Sequence, residues 1–164
     1  MRPAAIALLA VALAWQLLVG SSYGIGPARP DFILVAVAYI ALYESPRRAL
    51  AFAVVAGLIA DLISADPWGA HILGYLLPAW ALGLAGAASW GDDPLARAGL
   101  AALGSALSGG ARDVVLLVLE PDARGPAWPL LADALLAAAV CPLAFALLDP
   151  YRERLAPERR GLIF

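Results

Sequence analysis

The residues of this sequence that could do chemistry are ionisable side chains within or beside long apolar runs. Six residues of this kind occur: Asp31, Asp61, His71, Arg112, Asp113 and Asp133. A charge at the centre of a bilayer costs about 2.5–3.5 kcal/mol on insertion scales, and intramembrane charges usually face one another or a cavity. Two interpretations follow: a polar cluster that only fixes helix packing, or a site for a ligand or a partner.

These residue types do not indicate catalysis, a cofactor or a metal. His71 is the only histidine, and Asp61 and Asp66 give it no convincing ligand spacing, since metal coordination normally takes three or four ligands. One histidine at a helix start does not suggest a catalytic triad, and the glycines form no phosphate-binding fingerprint. Cys141 is the only cysteine, which excludes a disulfide scaffold. We predict no catalytic, cofactor-binding or metal-ligating residue.

The composition is typical of a membrane protein. Of 164 residues, 63% are hydrophobic and 15% are charged, against about 45–50% and 25% in ordinary globular proteins. A soluble domain of this size could not bury so much apolar surface, so a lipid bilayer is the expected surrounding. The formal net charge of −2 gives no reason to expect nucleic acid as a partner. A single transmembrane domain over residues 1–164 is predicted.

Proline- and glycine-rich turns divide the chain into apolar segments, which predict an all-α bundle of six transmembrane helices. The predicted spans are 3–23, 30–43, 48–64, 67–90, 96–119 and 128–149, followed by a basic cytoplasmic tail over 150–164. Phe32–Tyr43 is short, because twelve helical residues rise only about 18 Å. It is a short span, a span that begins as buried irregular backbone, or a re-entrant segment. Pro78 and Pro142 lie inside spans and predict kinks.

The distribution of arginine predicts the orientation in the membrane. Eight arginines fall on one side of the six-helix arrangement: Arg2, Arg47, Arg48, Arg97, Arg152, Arg154, Arg159 and Arg160. Arg29 and Arg124 fall on the other side, so the positive-inside rule places both termini in the cytoplasm. The six ionisable residues then lie in the outer half of the membrane. A cleaved signal peptide is the less favoured interpretation of the first span, because its apolar run exceeds the usual length of about 7–15 residues.

Small residues along helix faces predict where helices approach each other in lipid. The positions are Gly57, Gly83, Gly86, Ser105 and Gly109. Arg112 and Asp113 diverge by about 100° around a helix, so they should not pair with each other. We expect Arg112 to reach Asp61 or Asp133 in a shared cluster.

Capping is the plainer interpretation of Asp66 and Asp31. Asp66 before Pro67 predicts an N-cap for the fourth helix, because proline favours the first helical position. Asp31 suits the first turn of the second helix, where the helix dipole favours a carboxylate. Tyr75 shares a helix face with His71 and therefore joins the candidate cluster.

The stretch from Pro30 to Tyr75 resembles a known family. Its motifs are Pro30-Asp31 at a helix start, Gly57 and Asp61 with Ser64 in a Gly-x-x-x-Asp-x-x-Ser pattern, and Pro67-Trp68-Gly69-Ala70-His71. Their order and spacing are similar to those of the rod shape-determining protein MreD family. Trp68 stands where that family usually has leucine, and the motif is still recognisable despite this difference.

The resemblance implies a non-catalytic subunit of the bacterial elongasome, in the inner membrane, that maintains rod shape during peptidoglycan synthesis. Such proteins bind MreC, a single-span protein, and join the MreB filament to the RodA glycosyltransferase and its class B transpeptidase. The family also resembles the S components of energy-coupling-factor transporters. That likeness implies an S-component-like bundle and supplies the alternative, which is binding or transport of a small molecule. Association with a second copy of the chain is left open.

Overall fold

Six α-helices form the described part of the chain, which comprises residues 3–20, 30–64, 66–87, 93–119 and 128–151 of a computed structural model. They are α1 (Pro3–Trp15), α2 (Phe32–Tyr43), α3 (Pro46–Ile63), α4 (Ala70–Ala87), α5 (Pro94–Leu119) and α6 (Trp128–Leu148). A π-helical turn over Gln16–Gly20 continues α1, and a 3₁₀ turn over Asp149–Tyr151 follows α6. The described residues confirm the prediction of an all-α fold with six helices. Most of the predicted tail, from residue 152 onward, lies outside the described residues.

α2 is the central helix of the bundle. Every residue from Ile33 to Tyr43 is buried, and α2 contacts each of the other five helices. α3, α4, α5 and α6 pack against one another in chain order, and α1 packs on α2. The rise of α2, about 18 Å, is shorter than a hydrocarbon core of about 30 Å. Neighbouring helices, rather than lipid, therefore surround the shortest helix.

Protein groups satisfy the backbone at both ends of α2. The N–H of Phe32 donates to Oε1 of Gln16 at 2.8 Å. At the other end, the N–H of Glu44 donates to the carbonyl of Ile40 at 2.8 Å. Because an unsatisfied backbone group is costly in hydrocarbon, these bonds allow a short helix to begin and end against protein.

Pro78 and Pro142 lie inside α4 and α6, and both helices continue past them. Gly104 of α5 faces the first proline: a Cβ atom at Gly104 would stand 3.8 Å from Cβ of Pro78 and 3.2 Å from Cδ1 of Leu82. α5 therefore approaches α4 closely at the proline. The kinks stay a prediction.

Large apolar side chains are exposed on all the helices except α2. Two helical stretches, Leu95–Leu119 and Trp128–Tyr151, are long and apolar enough to cross a membrane. Shorter apolar helices occur at Pro3–Leu18, Phe32–Tyr43 and Ala70–Ala85. So much exposed apolar surface is typical of a membrane helical bundle. How many helices cross the membrane stays a prediction.

Several polar and aromatic residues connect α2, α5 and α6 at the end of the bundle opposite to the start of α2. Nη1 of Arg97 lies 2.6 Å from Oδ2 of Asp149. The guanidinium carbon of Arg97 lies 5.8 Å from the centre of the Tyr43 ring. The O–H of Tyr39 donates to the carbonyl of Leu148 at 3.2 Å. The candidate site described next lies at the other end.

Candidate functional site

Asp31 and Tyr75 tie the start of α2 to α4. Asp31 is the N-cap of α2, and its Oδ1 accepts the N–H of Leu34 at 2.9 Å, so the predicted capping role is confirmed. The O–H of Tyr75 lies 2.9 Å from Oδ2 and 3.2 Å from Oδ1 of the same carboxylate. Tyr75 is 2% exposed. This buried bond fixes the position of the α2 N-terminus relative to α4.

Gly57 is a point of close approach between α3 and α4. A Cβ atom added there would stand 2.6 Å from Cα of Ile72, 2.8 Å from its nitrogen and 2.9 Å from the carbonyl oxygen of His71. All three atoms belong to the backbone and cannot rotate away. The predicted role of Gly57 in helix packing therefore has a direct steric cause.

Asp61, one helical turn after Gly57, caps α4 from the neighbouring helix. Its Oδ2 accepts the N–H of Gly69 and its Oδ1 accepts the N–H of His71, both at 2.9 Å. Helix starts leave N–H groups without intrahelical partners, and the positive end of the helix dipole favours a carboxylate there. Gly69 has a φ of 92°, which suits glycine. The motif from Gly57 to His71 therefore builds the α3–α4 joint.

His71 extends the hydrogen-bond network of this joint. Its Nδ1 lies 3.0 Å from Oδ1 of Asp61 and 3.5 Å from Oγ of Ser64. Its Nε2 lies 3.7 Å from Oδ2 of Asp66, whose N–H donates to Oγ of Ser64 at 3.3 Å. The side chain of Asp61 is 0% exposed. Asp61 therefore serves the joint and is closed off from solvent.

Arg112 of α5 pairs with Asp66, a residue that was not among its predicted partners. Nη2 of Arg112 donates to Oδ2 of Asp66, whereas Arg112 was predicted to reach Asp61 or Asp133. Asp61 is instead bonded to the start of α4. Asp66 was predicted to cap α4, but the helix begins at Ala70, so the carboxylate lies before the intervening turn and is available to α5.

A cavity of about 560 Å³ lies beside this network, between the π-helical turn, α2, α4, α5 and α6. Its polar lining consists of Gln16, Asp31, Ser64, Asp66, His71, Tyr75, Ser105, Ser108, Arg112 and Asp133. Small-molecule sites in proteins typically occupy about 300–1,000 Å³. The cavity is therefore large enough for a metabolite or a lipid headgroup.

The structure brings together most of the predicted polar residues. Those that line the cavity are Asp31, His71, Tyr75, Arg112 and Asp133. Asp61 lies behind His71 and is bonded to it. Asp113 is exposed on α5 and is not among the lining residues, because one step along a helix turns a side chain by about 100°. The inclusion of Asp113 in the cluster is therefore corrected.

The other predicted packing positions differ in how tightly they are enclosed. A Cβ atom at Gly83 would stand 3.9 Å from a carbonyl oxygen of α2, an ordinary contact. At Gly109 it would overlap Cδ2 of Leu130, the far end of a flexible side chain. Ser105 is buried and lines the cavity. Gly86 lies in α4, but its surroundings fall outside the described side chains.

Among the residues at the site that were not predicted from the sequence are Gln16 and Gly74. Gln16 is the only amide or ionisable side chain in the run 3–19, and this isolation was a usable signal. Gly74 gave no signal, because its effect depends on α5: a Cβ atom there would stand 3.2 Å from Oγ of Ser108 and 3.3 Å from Cγ of Arg112. Gly74 therefore lets α5 bring Arg112 close to α4.

Comparison with known proteins identifies the family. A family model described as rod shape-determining protein MreD matches residues 4–88, just over half of the chain. The chain belongs to the MreD family. MreD proteins are membrane-associated components that determine rod shape. The match runs from α1 to the end of α4 and includes the Gly57–His71 joint, whereas Arg112 and Asp133 lie beyond it. No curated protein and no solved structure matches the chain.

Proposed function

We propose that this MreD-family chain is a non-catalytic, multi-pass subunit of the elongasome in the bacterial inner membrane. It binds an MreC-like single-span protein and helps to link the MreB filament to the RodA glycosyltransferase and its class B transpeptidase. The observation that carries the proposal is the family match over α1 to α4, the segment that contains the central helix and the α3–α4 joint.

The two ends of the bundle differ in a way that supports cytoplasmic termini. Trp15, Trp68 and Trp128 are all exposed at the end where α2, α4 and α6 begin, and tryptophan favours the membrane–water interface. Arg47 and Arg48 are exposed at the opposite end, where the positive-inside rule expects the cytoplasm. An arrangement of six spans with both termini in the cytoplasm agrees with the tryptophans at one end and with the arginines at the other.

The exposed face of α4 supports association with another membrane helix. Leu73, Leu77, Trp80 and Leu84 are 48%, 45%, 59% and 57% exposed. They recur at alternating steps of four and three residues, the spacing by which one helix packs along another. A single-span partner provides one helix of this kind.

The proposal is tested by depleting the protein in its native rod-shaped host. Loss of the protein should make the cells round, and expression from a plasmid should restore the rod shape. The plasmid-encoded protein should co-purify with an MreC-like partner. Asp113→Ala is the matched control, because Asp113 is exposed and should not affect rescue, whereas Asp61→Ala removes the cap of α4 and should abolish it. Unchanged cell shape together with a nutrient-uptake defect would contradict the proposal and favour a small-molecule carrier.

A further inference from the structure

Among the described residues that line the cavity, Asp31 is a carboxylate without a paired cation. Asp66 also faces the cavity, but it is paired with Arg112. Carboxylates held among membrane helices normally have a partner that compensates their charge. Asp31 therefore favours a ligand that brings a positive charge.

Asp31 is the carboxylate to which such a charge would bind. Its bonds come from neutral donors, the N–H of Leu34 and the O–H of Tyr75. In the described part of the chain, no cationic side chain forms an ion pair with it. A carboxylate can accept about four hydrogen bonds. The carboxylate of Asp31 lies at the cavity wall and can therefore accept a further bond from a charged donor.

The guanidinium of Arg112 belongs to the same cavity lining. Its side chain is 37% exposed, although the Nε atom itself is buried and has no hydrogen-bond acceptor among the residues described. Hydrogen bonds between a guanidinium and an acidic oxygen are charge-assisted and among the stronger ones. An acidic oxygen on the ligand would therefore suit this guanidinium.

A metal ion fits these groups less well than an organic cation. Across the described ranges, no three His, Cys, Asp or Glu side chains form a group that could hold a metal. An organic ammonium group needs one carboxylate and neutral acceptors, and the hydroxyls of Ser105 and Ser108 line the same cavity.

We propose that the cavity binds a zwitterionic ligand whose primary ammonium group donates to Asp31 and whose acidic oxygen accepts from the guanidinium of Arg112. The phosphoethanolamine group has this chemistry, either free or as the headgroup of phosphatidylethanolamine. Leu136 and Val140 of α6 add an apolar side to the cavity, which suits adjoining hydrocarbon. This binding site goes beyond the scaffold role and does not depend on it.

Native mass spectrometry of the purified full chain tests the proposal. The chain is equilibrated with phosphatidylethanolamine, phosphatidylcholine or phosphatidylglycerol of identical acyl chains. The choline headgroup has no N–H donor and the glycerol headgroup has no ammonium. We expect phosphatidylethanolamine to be retained at least about tenfold better than either, since hydrogen bonds to charged groups are among the stronger ones. Soluble O-phosphoethanolamine, added to the chain in phosphatidylcholine, shows whether the free group binds as well.

Asp31→Asn separates charge from capping. Asparagine caps a helix as well as aspartate does, so the variant should fold but lose the preference for phosphatidylethanolamine. Asp93→Asn is the matched control, because Asp93 accepts the N–H of Leu95 at 3.0 Å at the start of α5, away from the cavity. Arg112→Lys keeps a cation for Asp66 but removes the planar guanidinium with its several donors, and should weaken retention of both the lipid and the free group.

Two results would overturn the proposal. One is a preference of the unaltered chain for phosphatidylglycerol, or equal retention of the three lipids together with no binding of O-phosphoethanolamine. The other is the same phosphatidylethanolamine preference in Asp31→Asn as in Asp93→Asn. Binding of the soluble group alone would support the site and assign it to a free ligand.

Discussion

Gly57 and Asp61 lie one helical turn apart on α3 and act on the same stretch of α4. Gly57 removes the side chain that would keep the two backbones apart, and Asp61 then reaches the N–H groups of Gly69 and His71. The cap depends on the glycine, because it can form only at the short distance that the glycine allows. The spacing of this motif therefore follows from the geometry of one helix–helix joint.

Gly57→Ala should destabilise the protein by about 1–3 kcal/mol, the usual cost of overpacking. The added methyl would meet three backbone atoms within 2.9 Å, so α3 and α4 must separate. Gly110→Ala is the control: nothing lies within 4 Å of a Cβ atom there, and alanine should be neutral or stabilise α5 by up to about 1 kcal/mol. Denaturant unfolding of the two variants in detergent measures the difference, and equal stabilities would contradict the close approach.

Replacement of Asp61 should show graded effects. Asp61→Ala removes the acceptor of two backbone N–H groups and should cost about 2–4 kcal/mol. Asp61→Asn keeps one acceptor oxygen and should lie between the wild type and the alanine variant. The free energy of unfolding of the three proteins provides the measurement. Equal losses in both variants would mean that the carboxylate does not cap α4.

Arg112→Ala should lower the yield of folded protein, because it leaves Asp66 without its cation. Both side chains are about one-third exposed, so the loss should be modest, about 1–2 kcal/mol. Asp66→Asn in the same chain should recover part of it. The test compares the folded fraction recovered from membranes for the single and double variants. Additive losses would show that the pair does not contribute to stability.

Residue types and spacing predicted much of the site but not its pairings. Asp31, His71, Tyr75, Arg112 and Asp133 could be chosen because polar groups in apolar runs must be enclosed by protein. The residue that forms the ion pair with Arg112 could not be predicted from the sequence, because it depends on where α4 begins. α4 starts at Ala70, later than Asp66-Pro67 indicates. Asp66 therefore lies outside the helix and pairs with Arg112 of α5.

At the scale of helices, the central place of α2 is the feature that the sequence could not predict. α2 is apolar on all sides, a pattern that occurs both in helices enclosed by protein and in helices that face lipid. Its length was the usable signal, because twelve residues are too few to cross a bilayer unaided. Complete burial explains how so short a helix is accommodated.

The ion pair between Arg97 and Asp149 should couple α5 to α6. Arg97 is 9% exposed and Oδ1 of Asp149 is buried without a hydrogen-bond partner, whereas the Asp149 side chain as a whole is 32% exposed, so the pair is partly shielded from water. We expect Arg97→Ala and Asp149→Ala to destabilise the protein individually and a coupling energy of about 1–2 kcal/mol in a double-mutant cycle. Arg47→Ala is the control, since Arg47 is exposed at the same end of the bundle. A coupling energy near zero would contradict a clamp between α5 and α6.

At the scale of the whole molecule, polar groups gather at the two ends of the bundle. One end holds the cavity, the α3–α4 joint and exposed Trp68; the other holds the Arg97–Asp149 pair and exposed Arg47. α3 runs from one end to the other. The predicted orientation assigns the cavity end to the outside of the cell, and single cysteines at the two ends can test this assignment.

Trp68→Cys should react from outside intact cells with a maleimide that does not cross the inner membrane, and Arg47→Cys should react only after permeabilisation. The natural Cys141 is 2% exposed, and Cys141→Ala provides the background. Leu58→Cys is the control, because Leu58 lies on the exposed apolar face of α3 and a thiol in hydrocarbon does not ionise to the reactive thiolate. Reversed labelling would place the cavity on the cytoplasmic side. Labelling of both ends from the same side would mean that α3 does not cross the membrane, and the six-span arrangement would then be wrong.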